Sequence, residues 1–443
     1  MRRKQCGDET NARHRLRGNV PSRRRWIPLP IRVRAWDSGL VSAILVSHPH
    51  VAAVSAGVAQ ALARAGKLAG FVSGGVFRGE SWSGRLAIAL ATRRPVIRNR
   101  VVMDLPKGRL HSLLAVELGA RITASVMGRV GVRMKPYDAI FAAHDAAVAA
   151  MPWPRDTTAV YAYEDGALWT FRRARRDGIE RIWDLPLPHY LTIERVLRDE
   201  FHRWPGAAVG PPHSEPPWKR HRKDGELALA TKVSVASAFT KQSLDALELA
   251  APVVVASYGF PVEAFAPRDR RPSGPFTVLS VGTHDLRKGT PYLLEAWKRA
   301  AIPHAELHLV GPLKLARSFL DGYADLFRHW PHVPKSELPA RYAAADLCAF
   351  PTLGDGFGLV IQEAMCCGTP VLTTPCGGGP ECITDGVNGW IVPPRDIDAL
   401  VERLREAAAD RERLFGMGQA ARARAERWTW REAGAAFVSA LQI

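Results

Sequence analysis

A chain of 443 residues, 47% hydrophobic and 23% charged, has the composition of a soluble globular protein with room for two or three domains. Six cysteines, five of them between Cys348 and Cys382 and none in a Cys-x-x-Cys pair, argue against a disulfide scaffold and read as reduced thiols of a cytoplasmic protein. A formal net charge of +18 favours polyanionic partners, either through a solvated arginine-rich surface or through peripheral contact with the inner face of an anionic membrane.

Residues 1–40 hold eleven basic against three acidic residues without periodicity, and read as a basic disordered extension. Beyond Trp26 and Trp36 they lack interleaved aromatics, so no nucleic-acid partner is expected. They also lack the apolar core of a signal peptide. The longest uncharged run, Gly39 to Ala63, is broken by Ser47, His48, Pro49 and His50, so no membrane span is expected.

Residues 41–262 read as a first Rossmann-like domain. Ala43–Ser47 is predicted as a strand, His48–His50 as a loop, Val51–Ala65 as a helix stopped by Gly66, and Lys67–Ser73 as a second strand. This unit has no Gly-x-Gly-x-x-Gly, so a dinucleotide site is not expected there. The apolar run Tyr137–Ala143 is predicted as a strand leading to His144. Ala159–Tyr163 is a strand running into Glu164, Asp165 and Gly166, whose acids read either as helix caps or as ligand contacts. Arg172, Arg173, Arg175, Arg176 and Arg181 are predicted on one basic helix, a solvated face or a contact for an anionic ligand or membrane. Trp204–Lys223 reads as a loop, Leu227–Ala236 and Val253–Ser257 as strands, and Lys241–Ala250 as a helix between them. Residues 263–275 are polar and proline-rich, and read as a linker.

A second domain spans 276–425, followed by a crossover helix over 426–443. Phe276–Gly282 is a strand and Thr283–Gly289 a loop, with Thr290 as cap of a helix that has Pro291 at its start. Lys288 precedes that helix N-terminus, where an ammonium adds to the helix dipole and can neutralise a diphosphate. Phe350–Pro394 gives strand, glycine-rich loop, helix and strand in succession, the unit of a parallel α/β sheet. Glycines in such a loop let an anion approach the free N–H groups of the following helix. Asp355 stands in the loop and Glu363 one to two turns down the helix. Carboxylates beside a phosphate site suit hydroxyl-bearing flanks, so the pattern fits a diphosphate between two polyols, a nucleotide sugar.

Asp355, Gly356, Phe357, Gly358 and Leu359, then Glu363, Ala364, Met365, Gly368, Pro370 and Val371, resemble the donor signature of the retaining glycosyltransferases of family 4. Gly377, Gly378, Glu381, Asp385, Gly386, Asn388, Gly389 and Pro393 continue the likeness, which is strong over about 276–430 and weak over 42–262. Tyr163–Leu168 (YEDGAL) resembles a pattern of bacterial polysaccharide-type members. The resemblance implies the GT-B fold, two Rossmann-like domains facing a central cleft with the C-terminal helix crossing back to the first. It implies transfer of a hexosyl group, with retention, from a nucleotide-diphosphate sugar to a glycan, lipid-linked or small-molecule acceptor. It implies no cofactor and no metal; Asp396-Ile397-Asp398 reads as a helix start. Asp355, Lys288 and His144 would be catalytic. Gly282, Thr283, Arg287, Lys288, Val333, Asp355, Gly356, Phe357, Gly358, Leu359 and Glu363 would hold the donor, with Val333 near the base. His48, His50 and Glu164 would face the acceptor. Two positions depart from the pattern: Asp355 replaces the usual Glu, and Thr283 stands where Arg is common, with Arg287 able to supply that contact. The alternatives are a nucleotide-sugar epimerase of the same fold and a non-catalytic binding subunit.

Overall fold

The computed structural model describes residues 43–50, 52–78, 101–102, 105–129, 135–267 and 274–442. The basic extension and the middle of the linker lie outside these residues. Among the described residues the molecule is built on two principal parallel sheets, the two-halved α/β arrangement expected from the resemblance.

The first sheet contains β1 (Ala43–His48), β2 (Leu68–Ser73), β3 (Leu110–Ser112), β4 (Thr157–Tyr163), β5 (Glu180–Leu185), β6 (Lys232–Val235) and β7 (Val253–Val255). Its order is β3-β2-β1-β4-β5-β6-β7, all parallel. The second sheet contains β8 (Phe276–Val281), β9 (Ala305–Val310), β10 (Arg328–Trp330), β11 (Leu347–Phe350), β12 (Val371–Thr373) and β13 (Gly389–Ile391). Its order is β10-β9-β8-β11-β12-β13, also parallel. In both sheets the order reverses beside the first strand, and ligands of such sheets bind outside the carboxyl ends at that point. The two switch points are β1/β4 and β8/β11. They present His48 and Tyr163 from one sheet, and the loops after Val281 and Phe350 from the other.

Strands buried on both faces read as unbroken apolar runs, and β1, β2 and β8 were predicted within one or two residues for that reason. Tyr137–Ala143 differs: it lies inside a helix, Pro136–Ala150. Pro136 sits in the first turn, and seven alanines follow through Ala150. Proline at a helix start and alanine in its body both favour the helix. A short apolar run does not separate strand from helix by itself. Similarly, Pro217 starts a helix over Pro217–Leu229, which takes in the end of the expected loop and the start of an expected strand. The helix expected over Lys241–Ala250 is instead Ala238–Gln242. Arg181 belongs to β5, beyond the helix Leu168–Arg176 that carries the other four arginines. Thr290 is the first residue of its helix, and Gly289, at a φ of 69°, takes the cap position. Asp396 does start a helix, Ile397–Ala409, and its side chain accepts the Ala399 N–H at 2.9 Å.

The halves are joined by more than a linker. Helix Tyr190–Arg203 follows β5 yet places Val196 in the core of the second sheet. Its buried Glu200 accepts hydrogen bonds from the Tyr292 hydroxyl and Arg395 Nε, both at 2.6 Å. At the C-terminus, helix Trp430–Ala440 returns to pack on helix Ala53–Arg64 of the first half. The closest approach is at Gly57, where a Cβ would meet the Trp430 ring at 2.6 Å. Among the described residues no helix is long and apolar enough to cross a membrane.

Gly57→Ala therefore crowds Trp430 at the crossover. The expected cost is about 1–3 kcal/mol, typical of overpacking, read as a lower Tm in thermal unfolding. An unchanged Tm would show that the crossover helix adjusts freely.

Candidate active site

A cleft of ≈ 370 Å³ lies between the carboxyl ends of the two sheets. His48, Ser55, Tyr163, Pro186 and Tyr258 line it from the first half, and Lys288, Asp355, Phe357, Gly358, Leu359, Val360 and Glu363 from the second.

On the wall formed by the second half two loops are held together. The Leu353 N–H donates to the Arg287 carbonyl at 2.8 Å, and Gly289 lies so close that a Cβ there would sit 2.0 Å from the Pro351 carbonyl oxygen. This brings Lys288 onto Asp355 in an ion pair, with Arg287 Nη1 3.9 Å from the same carboxyl group. The two side chains are only 16% and 12% exposed, so each charge needs the other. Burial lowers the Lys288 pKa and the Asp355 charge opposes that shift. The Gly356 N–H donates to Asp355 Oδ1 at 2.9 Å and fixes the carboxylate. Gly358, at a φ of 83°, caps the helix Leu359–Cys366 and points its N-terminus at the cleft. Glu363, inside that helix, accepts the Tyr342 hydroxyl at 2.8 Å, and burial raises its pKa.

The other expected donor residues stand further back. Gly282, at a φ of 133°, and Thr283 follow β8, and Gly311 follows β9 so close to them that a Cβ there would lie 2.0 Å from the Gly282 carbonyl oxygen. The Val333 side chain is packed in the second half's core, so it can offer a ligand only its backbone.

On the opposite wall His48 meets the Tyr163 ring edge-on, with centroids 4.6 Å apart. Burial lowers its pKa to about 4, so it is neutral at physiological pH. His50 lies behind it against Tyr137 and Phe141 at 5.9 and 5.7 Å. His144 is not at a strand end facing the cleft. It lies on helix Pro136–Ala150, 2% exposed, with Nε2 3.1 Å from Ser47 Oγ. Its place is beneath the His48 loop, outside the cleft lining, so the catalytic role expected for it is not supported.

Glu164 pairs with Lys223 Nζ at 3.3 Å, and burial raises its pKa to about 7. Asp165 pairs with Lys219 at 3.1 Å. Neither caps the following helix. Glu226 does so from a distant helix, accepting the N–H groups of Asp165, Ala167 and Leu168 at 2.8–3.2 Å, while Asp145 accepts those of Trp169 and Thr170 at 2.9 Å. Arg173 and Arg181 bind backbone carbonyls of their own half, and Arg173 and Arg176 pair with Asp177. Tyr163 and Pro186 carried no sign in the sequence of facing the cleft; Tyr163 ends β4 and Pro186 directly follows β5 at the carboxyl edge of the sheet.

Residues 275–410 match the family Glycosyl transferases group 1. That stretch is a glycosyl transferases group 1 domain. The chain is 28% identical over 283 residues to D-inositol 3-phosphate glycosyltransferase of Arthrobacter sp. (strain FB24), covering 58% of this chain and 65% of that one. It is 36% identical over 165 residues to the GDP-mannose-dependent alpha-(1-6)-phosphatidylinositol monomannoside mannosyltransferase of Mycolicibacterium smegmatis, covering 34% and 43%. The match thus spans less than two thirds of the length of these relatives. Among solved structures, sucrose-phosphate synthase from Thermosynechococcus elongatus superposes with a TM-score of 0.58 at 20% identity, covering 90% of this chain and 98% of that one. Anabaena HepE in complex with UDP-glucose gives 0.57 at 15% identity, covering 90% and 99%. These likenesses establish the GT-B fold for the described chain. Within the glycosyl transferases group 1 domain lie Lys288, Asp355 and Glu363.

Among the described residues no group of His, Cys, Asp and Glu side chains is placed to hold a metal ion.

The buried histidines set an acid limit. Unfolded histidine takes up a proton near pH 6.5, whereas burial holds His48 down to about 4 and His144 to about 3. The unfolded chain then binds more protons in that window, so stability falls as the pH drops through it. Denaturant unfolding of His144→Asn against wild type is expected to show a shallower loss of stability on acidification. Equal slopes would contradict a neutral, buried His144.

Proposed function

We propose that the protein is a retaining, metal-independent glycosyltransferase that moves a hexosyl group from a nucleotide-diphosphate sugar to a hydroxyl of a glycan, lipid-linked or small-molecule acceptor. The observation that carries the reading is the shared cleft. It puts a cation, a helix N-terminus and two carboxylates on one wall, and a neutral histidine and two tyrosines on the other.

On this reading the diphosphate lies at Lys288 and at the amides of Gly358–Val360, where ammonium and helix dipole act together. Glu363 takes the ribose hydroxyls and Asp355 the transferred sugar. His48 faces the acceptor hydroxyl, with His50 and Glu164 behind it. When the bond from the sugar to the diphosphate breaks, negative charge grows on the leaving oxygen. The helix amides are fixed in advance where that charge appears, and Lys288 is held beside them by Asp355 until a phosphate takes the carboxylate's place; groups of this kind lower a barrier by about 3 kcal/mol each. The aspartate in place of glutamate still reaches Lys288, so the shorter side chain keeps the wall charged and paired. We place the protein in the cytoplasm, with peripheral contact at the inner membrane face as the form any membrane association takes.

Binding and slow hydrolysis across UDP-, GDP- and ADP-sugars test this. One donor is expected to bind and turn over, with turnover lowered about 100-fold in Lys288→Ala and binding weakened in Glu363→Ala. Failure of every donor to bind, or indifference to both substitutions, would overturn the reading.

A further inference from the structure

The loop that carries Asp355 is finished by the opposite half of the molecule. Gly356 is the point of contact. Its carbonyl oxygen accepts the Ser237 hydroxyl at 2.5 Å and the Thr240 hydroxyl at 3.1 Å. Both donors are wholly buried and sit at the start of the short helix that follows β6 of the first sheet. Ser237 also accepts the Thr240 N–H at 3.2 Å, so its own hydrogen is free to point at Gly356. The end of β5 presses on the same residue: a Cβ at Gly356 would stand 1.7 Å from the Pro186 carbonyl oxygen. Two further bonds cross at this seam. The Ala238 N–H donates to Glu381 Oε1 at 2.6 Å, and Gln362, next to Glu363, donates to the Tyr258 carbonyl at 2.9 Å.

These contacts reach the sugar side of the cleft through one residue, Gly356. The Gly356 carbonyl is held by the first half, while the Gly356 N–H orients the Asp355 carboxylate, which in turn holds Lys288. The amide and the carbonyl of Gly356 belong to consecutive peptide planes that meet at its α-carbon. The Pro186 backbone packs directly against that α-carbon, so holding the carbonyl restrains the turn of the amide beside it.

We propose that Ser237 and Thr240 are positioning residues that set the donor-side carboxylate Asp355 from the acceptor-side half, so that the sugar wall is fully assembled only when the two halves are closed. The proposal rests on the glycosyltransferase reading, and it predicts a particular pattern of loss. The diphosphate contacts belong to the second half alone, so donor binding persists when the clamp is cut. Placement of the sugar does not persist, and a displacement of about 1 Å at a reacting centre can cost about 100-fold in rate.

The test uses the full chain with UDP-glucose and GDP-mannose as donor probes. Thr240→Val removes one hydroxyl while keeping shape and the Ser237 cap. Ser237→Ala removes the other, and Thr240→Ser restores a hydroxyl at the first position. Turnover with the accepted donor is expected to fall about 10- to 100-fold in Thr240→Val and further in the double variant, with donor KM changed less than threefold and with recovery in Thr240→Ser. In parallel, amide hydrogen exchange of residues 352–358 in the ligand-free protein is expected to rise in Thr240→Val and to recover in Thr240→Ser. A rise in KM at constant kcat, or unchanged exchange in that loop, would overturn the proposal. Absence of wild-type turnover with every donor would instead strike the glycosyltransferase reading, and the exchange measurement would still decide whether the clamp holds the loop.

Discussion

Lys288 is drawn out of water between two loops of the second half, and the Asp355 carboxylate is the group that makes its charge tolerable there. A buried ion whose partner is removed costs several kcal/mol, so the two side chains keep the wall in one arrangement until another anion can replace the carboxylate. A diphosphate is such an anion. Its arrival would free Asp355 to accept hydroxyl hydrogen bonds from the sugar next to it. On the proposed reading, the resting pair and the liganded state would use the same two residues in different partnerships.

Close backbone approach is what makes that pair possible. Gly289 brings the Lys288 loop against Pro351, and Gly358 turns the helix N-terminus into the cleft. At Gly356 the backbone of the first half comes so near that any side chain would collide with Pro186. The glycines of this block thus serve loop docking and contact between the halves as well as access for an anion. Helix Tyr190–Arg203 and helix Trp430–Ala440 tie the same halves from two other directions, through Glu200 and through the packing at Gly57.

The second half was readable in the sequence because its signals are local. Apolar runs bounded by glycine or proline give β8, β11 and β12, and Lys288 and Asp355 lie in the loops that follow the first two. The first half was harder for physical reasons. Tyr137–Phe141 is apolar enough for a buried strand, yet the alanines that follow and the proline before it carry the segment into a helix, which moves His144 from the cleft into the core. Glu164 and Asp165 precede a helix as caps do, but the orphan N–H groups are taken by Glu226 and Asp145, which lie about sixty and about twenty-five residues away and are brought in by tertiary packing. Tyr163 and Pro186 face the cleft because β4 and β5 end there, a fact of topology and not of composition. Ser237 and Thr240 fall between an expected strand and an expected helix, and only the position of Gly356 gives their hydroxyls a partner in the other half.

The most direct measurement is a crystal structure with a nucleoside diphosphate sugar bound. The account expects Lys288 Nζ to have left Asp355 and to lie about 2.8 Å from a phosphate oxygen, with Asp355 turned to the sugar hydroxyls. A nucleotide bound elsewhere, with the Lys288–Asp355 pair intact, would contradict it.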